Sequence, residues 1–355
     1  MEYREALFYN QLQNKEVECI LCPHNCKLKT NEKGKCGVRK NIEGKLFSEC
    51  YGNIAALGVD NIESRSLYHF YPGSNVMAIG TNGCNLRCSF CQNQHLSQNT
   101  NQIFYSRKLT PDEISELALR HVKNIGVAFT YNEPTIFYEF LKESAQIIHD
   151  KGLKNVMITN GFINSDPLLD IIDTIDAFCV SIKGFSDQFY QNEINESQLQ
   201  PVLDTIKRIY ESGKHLEVIV LLTPKSYDKK EEFVKLVDWI ADEINADIPL
   251  HIHRFYPNLL VDSAPTSLEI LEEFRQLAIE RLNFVYLSNI EKTERSNTVC
   301  PDCMQLNVDR SNEYTRITGL TEDGKCSNCN RKIMKNLEVE EESENRFHQS
   351  SYGEH

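Results

Sequence analysis

Residues 76–92 have the sequence VMAIGTNGCNLRCSFCQ, a short apolar run that leads directly into a turn containing Cys84, Cys88 and Cys91. The apolar run predicts a buried strand over residues 76–79. Thiols at such close spacing can converge on one metal centre. Three thiolates suit a four-iron cluster in which one iron has no protein ligand, and this open position permits chemistry. The alternative is a zinc site completed by His95 or by a distant cysteine.

Further apolar runs follow at intervals that leave room for helices. The predicted strands are residues 76–79, 126–129, 155–159, 177–182, 217–222, 249–253 and 284–287. Thr110 and Pro111 have the residue types of a helix start, and residues 135–150 and 199–211 show a helical period of apolar residues. Alternating strands and helices predict parallel βαβ units and an α/β fold. The number of units favours a partial (β/α) TIM-like barrel, and a small open sheet is the alternative.

Composition narrows the class of protein. The chain has 355 residues, with 38 Lys and Arg against 51 Asp and Glu, so its formal net charge is −13. This acidic excess argues against binding to nucleic acid, which depends on Lys and Arg. Apolar runs stay well below the roughly 18 residues of a membrane helix, and the first residues do not resemble a secretory signal. We therefore expect a soluble, cytoplasmic protein without membrane contact.

The 13 cysteines are strongly grouped. Thiols in the cytoplasm are kept reduced, so we expect metal ligands rather than disulfides. Besides the central three, the sets are Cys19, Cys22, Cys26 and Cys36 near the start, and Cys300, Cys303, Cys326 and Cys329 near the end. This clustering predicts a metalloprotein. The two cysteines outside the sets, Cys50 and Cys179, are predicted to be small buried residues.

The two flanking sets differ in spacing. The C-terminal set consists of two C-x2-C pairs separated by 22 residues, typical of a zinc ribbon whose four thiolates close the site. The N-terminal set suits either zinc or an auxiliary iron–sulfur cluster, and His24 could replace one thiolate. Zinc is slightly favoured there, because the set is short, loop-like and separate from the predicted barrel.

Four regions are predicted along the chain. They are an N-terminal Cys-rich module at residues 1–65, a core barrel at 66–295, a zinc-ribbon-like module at 296–335 and an acidic tail at 336–355. The tail is rich in Glu and poor in apolar residues, which predicts disorder.

The spacing C-x3-C-x2-C, with Phe90 before the last cysteine, resembles the signature of the radical S-adenosylmethionine (radical SAM) superfamily. The turns at residues 131–135, 159–161 and 181–184 resemble those of pyruvate formate-lyase activating enzymes. The narrowest resemblance is to the radical SAM enzyme of the AmmeMemoRadiSam system, through residues 19–26, 34–39, 70–74, 91–93, 131–135 and 253–255. It covers nearly the whole chain and implies a partial barrel of the radical SAM type, with its active site at the carboxyl ends of the strands.

The resemblance implies roles for individual residues. It implies a [4Fe–4S] cluster on Cys84, Cys88 and Cys91. It implies S-adenosylmethionine binding by Asn132 and Glu133 at the methionine end, with Asn160, Ser181 and Arg254 around the same mouth, and catalytic roles for Lys183 and His253. Ser181 stands where relatives usually have Asp, which weakens a carboxylate role at this turn. An ordinary βα turn is the alternative for Glu133 and Lys183, and a packed strand-end histidine is the alternative for His253.

The implied reaction is that of an oxidoreductase. The reduced cluster would cleave S-adenosylmethionine to a 5′-deoxyadenosyl radical, which would abstract hydrogen from a substrate. A one-electron donor such as flavodoxin or ferredoxin is the implied partner. By analogy with glycyl-radical activating enzymes, the substrate would be a protein or peptide. The alternatives are modification of a small metabolite and a non-catalytic zinc or iron–sulfur interaction protein.

Overall fold

The computed structural model describes residues 3–98, 106–194, 197–226, 229–257, 261, 263–291, 293–335 and 337. Small antiparallel sheets form its N-terminal region. The strands of this region are β1 (Arg4–Glu5), β2 (Tyr9–Gln11), β3 (Val17–Cys19), β4 (Cys26–Leu28), β5 (Arg39–Ile42), β6 (Lys45–Ser48) and β7 (Asn53–Ile54). Strands β1, β6 and β5 form one sheet, and β2, β3 and β4 form another. The pairing of β3 with β4 places Cys19 opposite Cys26. The predicted tail at 336–355 lies outside the described residues except for residue 337.

A mostly parallel sheet forms the centre of the protein. The next strands are β8 (Ala56–Asn61), β9 (Asn75–Gly80), β10 (Arg107–Lys108), β11 (Asn124–Phe129), β12 (Lys154–Thr159), β13 (Ala177–Ile182), β14 (His215–Leu222), β15 (Leu250–Arg254) and β16 (Val285–Ser288). Within the described residues, the sheet order is β16-β15-β14-β13-β12-β11-β9-β8, and β10 pairs with β7 instead. Neighbouring strands are parallel except β8, which is antiparallel to β9.

The parallel strands of this sheet coincide with the strands predicted from the apolar runs. The predicted α/β fold is therefore confirmed, and the edges at β16 and β8 agree with a partial rather than a closed barrel. The edge strand β8 comes from residues 56–61, so the central sheet begins before residue 66.

Helices connect the strands and cover one face of the sheet. They are α1 (Gln94–Ser97), α2 (Pro111–Leu119), α3 (Tyr138–Asp150), α4 (Ser165–Ile172), α5 (Asp187–Glu193), α6 (Gln200–Glu211), α7 (Lys230–Trp239) and α8 (Leu268–Ile279). The predicted start of α2 is confirmed: Thr110 and Glu113 form a capping box, and Pro111 is in the first turn. A 3-10 turn, Pro134–Phe137, precedes α3, and a π-helix, Ile240–Asn245, follows α7. None of the helices in the described part of the chain is long and apolar enough to cross a membrane.

The two faces of the sheet bury different partners, because successive strand residues point to opposite faces. Residues such as Met77 and Phe129 pack in the large cluster that includes the helices. Their neighbours, such as Ala78 and Ala128, pack against Leu67 and Phe70 from the segment between β8 and β9. This segment therefore fills the face of the sheet that the helices leave uncovered.

The buried Glu217 carboxylate on β14 holds this segment in place. It accepts the backbone N–H groups of Tyr68 at 3.0 Å and His69 at 2.8 Å. It also contacts the rings of His215 at 2.8 Å and His251 at 2.7 Å. The hydrogen bonds to the histidines outweigh burial and hold the pKa of Glu217 well below its usual range. A charged residue in the sheet core is thus fully paired and fixes the chain that covers it.

The C-terminal residues form a small sheet of β17 (Thr298–Val299), β18 (Leu306–Asp309) and β19 (Arg316–Ile317). It packs beside the segment that covers the sheet, in a cluster that includes Tyr68 and Tyr286. The buried Arg310 pairs with Glu63 at 3.3 Å and donates to Thr298 at 2.8 Å. The C-terminal cysteines are therefore attached to the central sheet through buried polar contacts.

Candidate active site

The central cysteine turn follows β9 and is held by the end of the neighbouring strand. The Asn132 side chain accepts the Thr81 N–H at 3.0 Å and donates to the Gly83 carbonyl at 2.8 Å. Gly83 has a φ of +96°, and a Cβ there would lie only 2.7 Å from the Cys36 carbonyl oxygen. Only glycine fits such a position without strain or a clash.

The three thiols of the turn fit a cluster better than a single ion. Burial raises the pKa of Cys88 to about 12 and that of Cys84 well above its usual value. A bound metal centre would offset this, since its positive charge stabilises the thiolate. The central sulfurs do not all lie within 4.8 Å of one another, a distance that the four C-terminal cysteines do meet. In a four-iron cluster each thiolate binds a different iron, so wider spacing suits that centre.

Glu133 lies at the end of β11, next to the cysteine turn, and is only 3% exposed. Its Oε1 accepts the Thr135 N–H at 3.0 Å and the hydroxyls of Thr135 and Thr159, each at 2.7 Å. Its Oε2 accepts the Asn160 N–H at 2.7 Å. Burial raises the pKa of Glu133, and these hydrogen bonds oppose the rise. A carboxylate oxygen has two lone pairs, so Oε2 retains capacity for one more donor.

Asn160 joins Glu133 to the cysteine turn. Its side-chain amide donates to Asn85 Oδ1 at 2.9 Å and lies 3.8 Å from Cys84 Sγ. Asn85 in turn donates to the Phe162 carbonyl at 2.7 Å. The structure thus brings together the carboxyl ends of β9, β11 and β12, where sequence placed a cysteine turn, an acid and an amide.

Lys183 and Ser181 lie at the end of β13. Lys183 Nζ donates to Ser181 Oγ at 2.7 Å, and the Lys183 N–H donates to the Tyr190 hydroxyl at 3.2 Å. The lysine charge opposes the burial that raises the pKa of Cys88. Lys183 therefore lies on the side of the site where Cys88 is found.

The two residues predicted across the mouth on β15 point in different directions. His253 Nε2 lies 2.7 Å from Ser66 Oγ, beneath the segment that covers the sheet. Burial lowers the pKa of His253 to about 3, and the charges of His251 and Lys183 add to this effect. Arg254 instead donates to the Thr266 carbonyl at 2.8 Å. Neighbouring strand residues face opposite sides of a sheet, so the two side chains do not share one surface.

Three further residues, Asn85, Thr159 and Ser66, contribute contacts to the site, although the sequence alone assigned no role to them. Thr159 and Asn85 carry ordinary polar side chains, and their proximity to Glu133 and Cys84 depends on strand pairing. Ser66 has a left-handed backbone, with φ of +56°. Of these three residues, only Asn85 lies inside the cysteine turn, and its position in the sequence could have indicated a role.

The flanking cysteines are arranged in two different ways. In the C-terminal set, Cys300 and Cys329 sulfurs lie 3.5 Å apart and those of Cys303 and Cys326 lie 3.6 Å apart. All four lie within 4.8 Å of one another, which suits the short contacts of a tetrahedral zinc site. The N-terminal set lines one cavity at the base of the cysteine turn; its members are Cys19, Cys22, Cys26 and Cys36. All cysteines are free thiols, and the predicted burial of Cys50 and Cys179 is confirmed.

Comparison with known proteins agrees with this geometry. The family model described as the radical SAM superfamily matches residues 78–240, which run from β9 into the π-helix after α7. An uncharacterized protein of Methanocaldococcus jannaschii is 39% identical over 333 residues, covering 93% of this chain and 98% of that protein.

Several relatives carry names that describe an activity, and activating enzymes are among them. A putative glycyl-radical enzyme activating enzyme of M. jannaschii is 26% identical over 61% of this chain and 80% of its own length. The pyruvate formate-lyase-activating enzyme of Clostridium pasteurianum is 23% identical over 56% of this chain and 86% of its own length. The matched family model and the extended similarity along the chain agree with the cysteine turn and the carboxylate beside it, and the chain belongs to the radical SAM superfamily, whose members use a [4Fe–4S] cluster and S-adenosylmethionine.

Proposed function

We propose that this radical SAM enzyme cleaves S-adenosylmethionine reductively and abstracts a hydrogen atom from a protein or peptide. When bound, the cluster and S-adenosylmethionine supply the 5′-deoxyadenosyl radical for this step. The relatives named as activating enzymes support a protein substrate. The electron is proposed to come from a flavodoxin or ferredoxin.

One observation carries the proposal: the Glu133 carboxylate and the Cys84 thiol are joined through Asn160 at the same edge of the sheet. The three thiols at 84, 88 and 91 are proposed to hold the cluster. Glu133 Oε2 is proposed to accept the methionine ammonium, a charge-assisted contact in a buried place. This arrangement would set the cofactor directly beside the iron that has no protein ligand.

The remaining site residues have supporting roles in this proposal. Asn132 positions the cysteine turn, because its side chain accepts the Thr81 N–H and donates to the Gly83 carbonyl. Lys183, with Ser181, is proposed to line the mouth where substrate approaches, and neutral His253 is proposed to form its wall with Ser66. Arg254 donates to the Thr266 carbonyl, and its predicted contact with the cofactor is not part of this proposal. The C-terminal cysteines are proposed to hold structural zinc.

The test is formation of 5′-deoxyadenosine from S-adenosylmethionine under anaerobic reducing conditions, by wild type and by Cys88→Ala. The variant should form no 5′-deoxyadenosine and should lose most of the central iron, since three thiolates are the minimum that hold such a cluster. The buried thiol of Cys179 gives a matched control, and Cys179→Ala should keep its iron. Product formation by Cys88→Ala at the wild-type rate would refute the assignment.

A further inference from the structure

We propose that the four N-terminal cysteines hold a second iron–sulfur cluster, which passes electrons to the central one. The existence of this cluster is independent of the proposed function, and only its electron transfer depends on it. The set has four thiols, so every iron of a four-iron cluster could have a protein ligand. Such a closed centre suits electron transfer rather than binding of a cofactor.

The first observation is the shape of the N-terminal site. The four cysteines line a common cavity together with Arg39 and Ile136. Cys19 and Cys26 face each other across the β3–β4 pair. A Cβ added to Gly34 would lie 3.7 Å from the sulfurs of both Cys26 and Cys36, so the chain leaves the space between them open.

The second observation is the separation of the sulfurs. In tetrahedral zinc sites with Zn–S bonds of about 2.3 Å, the sulfurs lie less than about 4 Å apart. The C-terminal set has this close arrangement, whereas neither the N-terminal nor the central set brings three sulfurs within 4.8 Å of one another. The N-terminal set and the central set therefore both lack the close sulfur arrangement of the C-terminal set. This geometry reverses the slight preference for zinc that the sequence suggested.

The third observation is a buried cation beside the thiols. The Arg39 side chain is 1% exposed and pairs with Glu139 at 3.0 Å. Within the described residues, its Nε has no hydrogen-bond partner, although the residue lines the cavity. A guanidinium N–H in this position is suited to donate a hydrogen bond to a sulfur of a negatively charged cluster. Hydrogen bonds and charge of this kind adjust the reduction potential of such clusters.

The N-terminal site lies against the central cysteine turn. The Cys36 carbonyl packs against Gly83, so a backbone contact separates a ligand of one set from the residue before Cys84. On the same side, His24 Nε2 lies 2.8 Å from the Asn85 carbonyl oxygen, inside the central turn. The module is therefore not separate from the barrel, and the two thiol sets are close neighbours.

The proposed transfer moves one electron without forming or breaking a bond. A donor of the flavodoxin or ferredoxin class would reduce the N-terminal cluster by one electron. That electron would then pass to the central cluster, and the N-terminal cluster would return to its starting oxidation state.

The test of the site uses metal content. The full chain with Cys84, Cys88 and Cys91 all changed to Ala is reconstituted anaerobically with iron and sulfide, then analysed for iron, sulfide and zinc. About four iron and four sulfide ions per chain should remain. A preparation with no iron and about two zinc ions per chain would overturn the proposal. This result does not depend on S-adenosylmethionine cleavage, so it is distinguishable from failure of the proposed function.

A second variant tests the electron transfer. The double variant Cys22→Ala, Cys26→Ala should lose about four iron ions relative to wild type. Its central cluster should still change its electron paramagnetic resonance spectrum on addition of S-adenosylmethionine. With reduced flavodoxin as donor, rapid reduction of the central cluster should be lost, whereas dithionite should reduce it at the wild-type rate. Rapid reduction by flavodoxin in this variant would rule out the transfer; if the variant does not fold, the triple variant still decides the site.

Discussion

The Glu133 carboxylate accepts the backbone N–H of Asn160 at 2.7 Å, while the Asn160 side chain reaches Cys84 Sγ at 3.8 Å. One residue thus couples the acid at the end of β11 to the cysteine turn at the end of β9. The coupling depends on the parallel order β9, β11 and β12, which brings three strand ends to one edge. Glu133 is not one of the three thiols, so we expect changes at Glu133 to weaken cofactor binding while the cluster still assembles.

Glu133→Gln should weaken binding of S-adenosylmethionine by about ten- to a hundredfold, since a charge-assisted hydrogen bond contributes about 1.5–3 kcal/mol. Gln keeps the size of the side chain but removes the charge that attracts the ammonium. Its amide would also place a donor against the Asn160 N–H or the Thr159 hydroxyl. Affinity is measured by anaerobic titration, with iron determined on the same sample.

The matched control is Glu217→Gln, because Glu217 is also a fully buried carboxylate but holds the segment between β8 and β9 rather than the cysteine turn. This control should lose stability while keeping its affinity for S-adenosylmethionine. If Glu133→Gln has wild-type affinity at full iron content, residues 131–135 form only a βα turn, and the ammonium binds elsewhere.

Replacement of Cys303 or Cys326 by Ser should release zinc and lower the melting temperature. A closed thiolate site contributes directly to the folding of a small module, and this module is fixed to the core by Arg310. Metal analysis and thermal unfolding measure the effect. Iron in the central set should be unchanged, and loss of iron rather than zinc from the C-terminal set would contradict the zinc assignment.

Asn132→Ala should reduce the iron retained by the central turn. The change removes the hydrogen bonds to Thr81 and Gly83, at a cost of about 2–3 kcal/mol for these contacts. The readout is the iron content together with the line shape of the reduced cluster, which general destabilisation would not alter. Asn75→Ala gives a control, since Asn75 is the first residue of β9, the strand that leads into the cysteine turn. Its amide donates to the Val122 carbonyl, at the end of β9 that lies away from the turn.

The fold was largely predictable because apolar runs of strand length recur between helical patterns, and each run is buried on both faces. The same pattern placed Cys84, Glu133, Asn160 and Lys183 at strand ends, which lie together in a parallel sheet. The narrower resemblance to the AmmeMemoRadiSam enzyme remains a prediction.

Other features depend on contacts that sequence does not reveal. Leu67 and Phe70 lie in a short segment without periodicity, so their position over the inner face follows only from the fold. Glu217 is the first residue of the predicted strand at 217–222, and only the fold brings the His215 and His251 rings to it, which allows its charge to be buried. Arg254 and His253 point in different directions because they are neighbours on β15, and which of them faces the covering segment follows only from the fold.

His253 should make the protein less stable in acid. Burial lowers its pKa to about 3 in the folded protein, against an ordinary value of 6.5. Between these values the unfolded chain binds a proton that the folded protein does not, so stability rises with pH. This single group contributes a slope of up to about 1.4 kcal/mol per pH unit. His253→Asn should reduce the slope by that amount between pH 4 and pH 6, as measured by urea unfolding at several pH values.

Ser66→Ala separates this titration from the loss of a hydrogen bond. It removes the 2.7 Å contact to His253 Nε2 but keeps the imidazole and its neighbours Lys183 and His251. Its stability should fall by about 1 kcal/mol at neutral pH, with a slope close to that of wild type. An unchanged slope in His253→Asn would instead show that His253 is protonated in the folded protein, and a neutral wall of the site would then be ruled out.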